Sequence, residues 1–109
     1  MSSYFVEQSS CAHHAIFPGV EIYTANTERL MISLVEFQPH AVVEEHSHPH
    51  DQMGLLIEGE LDFTIGGERR TLRPGQMWRI PGGVKHKAVA GPAGAKALDV
   101  FHPVREEYR

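Results

Sequence analysis

The chain predicts an all-β domain, a small barrel or a sandwich, on three observations. No long stretch between chain breakers carries a helical apolar stripe. Short segments rich in β-branched and large apolar residues recur instead. Gly- and Pro-containing turns separate those segments at even spacing.

Taken in order, Glu21–Ala25 (EIYTA) and Arg29–Phe37 (RLMISLVEF) read as the first strands. "QMGLLIEG" from Gln52 is a further extended segment. In "ELDFTI" the residues Leu61, Phe63 and Ile65 alternate with Glu60, Asp62 and Thr64, the period of a strand with one buried face. Gly66–Gly67 then suits a two-residue hairpin turn. "ERRTLRPG" returns as the partner strand, Pro74–Gly75 turns the chain, and Gln76–Ile80 (QMWRI) is a short strand stopped by Pro81–Gly83. "VKHKAVA" and "AKALDVF" read as two strands on either side of Gly91–Gly94 (GPAG). Roughly eight to ten strands result. The first dozen residues and the last few read as arms of the kind that reach a second subunit.

Length and composition bound the function. A chain of 109 residues suffices for one domain. Hydrophobic residues at 41% place it among globular proteins rather than disordered ones. A net charge of −4 without a basic cluster argues against nucleic acid as a partner. One cysteine, Cys11, makes no internal disulfide, so no oxidising compartment is needed. "MSSYFVEQSS" has neither a basic n-region nor an apolar h-region, so no signal peptide is expected. No apolar run approaches the length of about 18 residues that spans a bilayer. A cytoplasmic protein without a membrane partner is the expectation.

The chemistry concentrates in His46–Gln52, "HSHPHDQ". On a strand, His46 and His48 project from one face, which suits two imidazoles meeting one ion. Pro49 breaks the pattern, which leaves His50 off register as a rim residue. Gln52 carries an amide oxygen able to turn to the same point, and His86 follows the tight PGG turn. The competing reading is a polar loop that merely contains histidines. His13, His14, His40 and His102 read as surface or hydrogen-bonded side chains.

These stretches resemble the cupin family, whose motifs read G-x5-H-x-H-x3/4-E-x6-G and G-x5-P-x-G-x2-H-x3-N. "HSHPHDQMGLLIEG" supplies His46, His48, Gln52 at the Glu position and Gly59; "GQMWRIPGGVKH" supplies Gly75, Pro81, Gly83 and His86. Three positions depart: Pro39–His40 where the first Gly is expected, Gln for Glu, and Val89–Ala90 in the region of the final Asn. The resemblance covers about Ile32 to Phe101. It implies a single-domain double-stranded β-helix, or jelly-roll barrel, over about residues 30–102. One divalent transition metal (Zn, Ni, Mn or Fe) is implied on His46, His48, Gln52 and His86. A neutral amide in place of a carboxylate leaves that ion's charge uncompensated, which invites an anionic ligand.

The C-terminal strand holds the second constellation. Asp99 and Phe101 share a face with Ala95 and Ala97, opposite Leu98 and Val100. In the barrel lumen Asp99 becomes a candidate general acid/base. Arg105, beyond Pro103, offers a planar fork for a carboxylate. Equally, Asp99 and Arg105 pair with each other or with Glu106–Glu107 at the surface.

"HSHPHDQ", "GELDFTIGGE" and "LDVFHPVREEY" together are similar to the small cupins of the KdgF type. Those proteins convert 4,5-unsaturated uronate monosaccharides of pectin and alginate degradation into linear 5-keto-4-deoxyuronate. The resemblance implies Asp99 as acid/base, Phe101 as a pocket aromatic and Arg105 as carboxylate binder. It implies an anionic, sugar-derived substrate, an isomerase or tautomerase activity and a homodimer. A second Gln of that type is Gly54 here. An iron-dependent cupin dioxygenase and a non-catalytic sugar-binding cupin remain as alternatives.

Overall fold

The computed structural model describes residues 3–109. Eight strands form: β1 (Ala12–Phe17), β2 (Val20–Asn26), β3 (Met31–Phe37), β4 (Val42–His46), β5 (Asp51–Ile65), β6 (Glu68–Leu72), β7 (Met77–Ile80) and β8 (His86–His102). All pairings are antiparallel. The sheet therefore starts at Ala12, upstream of the range 30–102 expected for the barrel, because β2 pairs with β3 and β1 pairs with β2.

Two long strands organise everything else. The first part of β5 and the last part of β8 pair together, flanked by β7 on one side and β3, β2 and β1 on the other. The far part of β5 and the first part of β8 pair again, flanked by β6 and β4. The two layers of the jelly roll are thus joined by the same two strands, and the fold is that of a cupin barrel.

The GPAG stretch was expected to separate two strands. It instead lies inside β8, and "QMGLLIEG" and "ELDFTI" are likewise parts of one strand, β5. The reason is local. Gly59 and Gly94 both have positive φ, and a Cβ on Gly59 would lie 2.1 Å from the Gly94 carbonyl oxygen. These glycines let the two backbones cross closely and bend together, so the chain changes layer without reversing. The pairing register shifts at this corner, and the buried parity changes from Gln52 and Leu56 to Leu61 and Phe63.

Between the layers lies a core that includes Ile22, Leu56, Leu61 and Ile80, all at most 2% exposed. Met31, Phe101 and Val104 form a smaller cluster that ties the C-terminal segment down. The C-terminal arm thus folds back on its own barrel. Thr24 Oγ1 donates to the Tyr108 carbonyl across 2.5 Å. No helix is long and apolar enough to cross a membrane among the described residues.

Candidate metal centre

Three imidazoles meet where the ends of the two layers come together. His46 closes β4 and pairs in register with His86 at the start of β8. His48 lies just past β4, so chain direction after the strand, rather than strand alternation, brings it round. Ring centroids are 4.3 Å apart for His46 and His86, 5.0 Å for His48 and His86, and 5.6 Å for His46 and His48. One ring nitrogen from each lies within 4.8 Å of the others.

The backbone fixes which nitrogens face inward. Nδ1 of His46 donates to the Glu44 carbonyl (2.8 Å), Nδ1 of His48 to the His50 carbonyl (3.0 Å) and Nδ1 of His86 to the Val84 carbonyl (2.9 Å). A carbonyl only accepts, so each Nδ1 carries the proton and each Nε2 keeps a lone pair. His86 Nε2 is buried without a hydrogen-bond partner. Three lone pairs held at one point, one of them orphaned in the apolar interior, are what a divalent cation needs. The three-histidine site fits a divalent metal. His50, off register as expected, takes part through its carbonyl.

Burial favours the neutral form of His86 and His48. It lowers the pKa of His86 from 6.5 to about 4, and the neighbouring His46, His48 and Arg105 act in the same direction. His48 is lowered as well, first by burial and then by the charge of Arg105.

Gln52, at the start of β5 and 6% exposed, directs Oε1 to within 3.0 Å of His48 Nε2. Its cross-strand partner is Phe101, whose ring meets His48 edge-on at 5.7 Å. Asp99 shares a face of β8 with Ala97 and Phe101, as the alternation predicts, and the structure buries that face and exposes Val100. Burial pushes the Asp99 carboxyl up to about 6. Hydrogen bonding from Gln52 and Trp78 and the charge of Arg105 pull it the other way.

Arg105 pairs with an acid of its own segment and also lines the cavity. Its Nε donates to Glu107 across 2.8 Å, yet the side chain is only 12% exposed. The guanidinium lies 5.3 Å from the Phe101 ring centroid and 4.4 Å from that of Tyr108. Two aromatic faces thus hold the fork in place. A cavity of about 290 Å³ is lined by His46, His86, Gln52, Asp99, Phe101 and Arg105 together. That volume sits at the lower end of the range for small-molecule sites.

Ser33 and Tyr108 also line this cavity and carry no signal in the sequence as site residues. Trp78 lines it too, and it has a signal: a glycine inside a strand marks close approach of another group, and Gly54 pairs with Trp78 in register. His14, expected to be structural or exposed, packs half-buried beside Tyr108 at 5.8 Å.

Comparison with known proteins agrees with this geometry. The cupin domain description matches residues 33–101. The pectin degradation protein KdgF of Dickeya dadantii is 29% identical over 83 residues, covering 75% of this chain and 76% of that protein. The structure of KdgF from Halomonas sp. superposes with a TM-score of 0.86 at 31% identity, covering 98% of both chains. An RmlC-like cupin from Shewanella frigidimarina gives a TM-score of 0.90 at 28% identity, over 99% of this chain and 97% of its own. The matched domain runs from β3 to the end of β8 and so takes in every histidine of the centre; the chain belongs to the cupin family and resembles KdgF.

Proposed function

We propose that this cupin is a metal-dependent isomerase of 4,5-unsaturated uronate monosaccharides, acting in pectin or alginate breakdown. The observation that carries the proposal is one cavity lined by His46 and His86 of the three-histidine centre, a buried carboxyl poised near 6 and an arginine packed on two aromatic rings. The likeness to KdgF proteins supports it. His46, His48 and His86 hold the ion, and Gln52 is the fourth ligand. A divalent ion so held supplies Lewis-acid stabilisation to a substrate oxygen that gains charge.

The chain's own residues do the rest. Arg105 presents its free guanidinium nitrogens to the substrate carboxylate, while Glu107 and the two rings fix its plane. Phe101 packs beneath the bound ring. Asp99, as the carboxylate, accepts the proton of the anomeric hydroxyl as the bond between C1 and the ring oxygen breaks. An aldehyde and an enolate oxygen result. Asp99 then returns the proton to C4, which leaves the ketone at C5, so atoms and charge balance without another reactant. A carboxyl near 6 exchanges protons in either direction around neutral pH.

The test follows loss of the absorbance of the unsaturated uronate with wild type and Asp99→Asn. Rates at the uncatalysed background in both defeat the proposal. Oxygen consumption with the same substrate would mark the protein as an oxygenase, and tight binding with unchanged recovery as a binding protein. Homodimer formation is part of the proposal. It is supported by an outer sheet face where Ile32, Val100 and Met53 sit side by side at 38–56% exposure. Sedimentation at a single monomeric mass would remove it.

A further inference from the structure

Gly54 on β5 is paired in register with two residues at once, Trp78 on β7 and Asp99 on β8. A Cβ on Gly54 would lie 2.2 Å from both Cε2 and Nε1 of Trp78 and 2.4 Å from Asp99 Oδ1. No side chain fits there while the other two keep their positions. The missing side chain opens a slot in which the indole reaches over the β5 backbone. Trp78 Nε1 donates to Asp99 Oδ1 across 2.9 Å. The indole is 6% exposed, and its ring packs on Phe63 with centroids 5.0 Å apart.

An indole N–H only donates, and it has one hydrogen to give. It therefore takes one lone pair of Oδ1 and leaves Oδ2 uncontacted by the indole. Asp99 has only two side-chain torsions, so fixing one oxygen sets the plane of the whole carboxyl group. Burial of the ring against Phe63 makes the anchor rigid, because turning the indole away would open a void.

We propose that Trp78 is a positioning residue for Asp99, admitted by the gap at Gly54, and that it holds the carboxyl with Oδ2 toward the substrate. The inference rests on Asp99 being the acid/base of the reaction proposed above. It also accounts for the departure at position 54. A side chain there and an indole donor at 78 exclude one another, and this chain has the indole.

Trp78 is the sole tryptophan of the chain, so one indole N–H resonance in a 1H–15N spectrum reports the contact in the Zn2+-loaded full chain. The resonance is expected well downfield and slow to exchange, and Asp99→Ala moves it upfield. Gly54→Ala is expected to move it in the same direction. With unsaturated uronate, Trp78→Phe lowers kcat per bound metal about tenfold or more while KM changes less than about twofold, the scale of one hydrogen bond to a carboxylate. Adding Trp78→Phe to Asp99→Asn costs little more than Asp99→Asn alone, since one residue acts through the other. An indole resonance indifferent to Asp99→Ala overturns the proposal, as does an unchanged kcat in a folded, metal-loaded Trp78→Phe. Should that variant not fold, the spectra of wild type, Asp99→Ala and Gly54→Ala decide alone. A wild type without turnover overturns the uronate assignment instead, and the spectra still decide whether Trp78 holds Asp99.

Discussion

Gln52 Oε1 faces His48 Nε2 at 3.0 Å, while His48 Nδ1 donates to the His50 carbonyl. In that tautomer both facing atoms bear lone pairs, an arrangement that repels unless a cation lies between them. The amide also has a second end, and its hydrogen bonding lowers the Asp99 pKa. One amide can therefore offer oxygen to an ion and N–H to a carboxylate. A glutamate here would set two carboxyl groups side by side.

That relationship predicts the behaviour of Gln52→Glu. The added anion holds a divalent ion more tightly and repels an anionic substrate. KM for the uronate should rise about tenfold or more, with metal content retained or increased. A KM unchanged in metal-replete protein would show that the neutral amide has no bearing on the substrate's charge.

Metal binding should stabilise the fold through the three histidines. At a free ion concentration of about 100 times Kd the gain is roughly 2.7 kcal/mol, a rise of several degrees in Tm. The shift should vanish in His86→Ala and in chelator-treated wild type, read by thermal denaturation and metal analysis. An equal shift in His86→Ala places the ion elsewhere.

In metal-free protein, Asp99 should cost stability at neutral pH. Its folded pKa of about 6 lies above the ordinary 3.8, so the folded state binds more protons between those values. Stability from this group is full below about 4 and falls as pH rises through 6. Asp99→Asn should thus stabilise the metal-free protein at pH 8 by roughly 2–3 kcal/mol, with the gain shrinking toward pH 4. Urea unfolding across that range measures it. A destabilised variant at pH 8 would mean the carboxylate is solvated or paired.

His86 has the opposite sign. Its folded pKa of about 4 lies below 6.5, so its neutral form contributes stability above 6.5 that is lost as pH falls toward 4. The metal-free wild type should lose more stability over this interval than metal-free His86→Asn. Matching urea midpoints at each pH for the two proteins would count against a buried, neutral His86.

Arg105→Lys keeps the charge but loses the fork and the stacking on Phe101 and Tyr108. KM for the uronate should rise about tenfold, with a smaller fall in kcat, because the carboxylate is held in both ground and transition states. Steady-state kinetics decide, and a KM equal to wild type removes Arg105 from the carboxylate site.

Much of the protein was determined locally, in residues close along the chain. Alternation in "ELDFTI" marked Leu61 and Phe63 as inward, and alternation in "ALDVF" put Asp99 and Phe101 on one face, which the structure buries. The spacings of "HSHPHDQ" and "GQMWRIPGGVKH" singled out the three histidines that converge. Short-range rules suffice for such features because strand periodicity and tight turns depend only on neighbours. Tertiary structure alone decided the rest. Whether GPAG reverses the chain or bends it depends on the close pass of Gly59 and Gly94, two residues from different strands. Whether Arg105 reaches solvent or a cavity depends on Phe101 and Tyr108 packing on it. That a tryptophan holds Asp99 depends on the three-strand register of Trp78, Gly54 and Asp99. Each is a contact between segments distant in sequence, set by packing and cross-strand register, which no local pattern encodes.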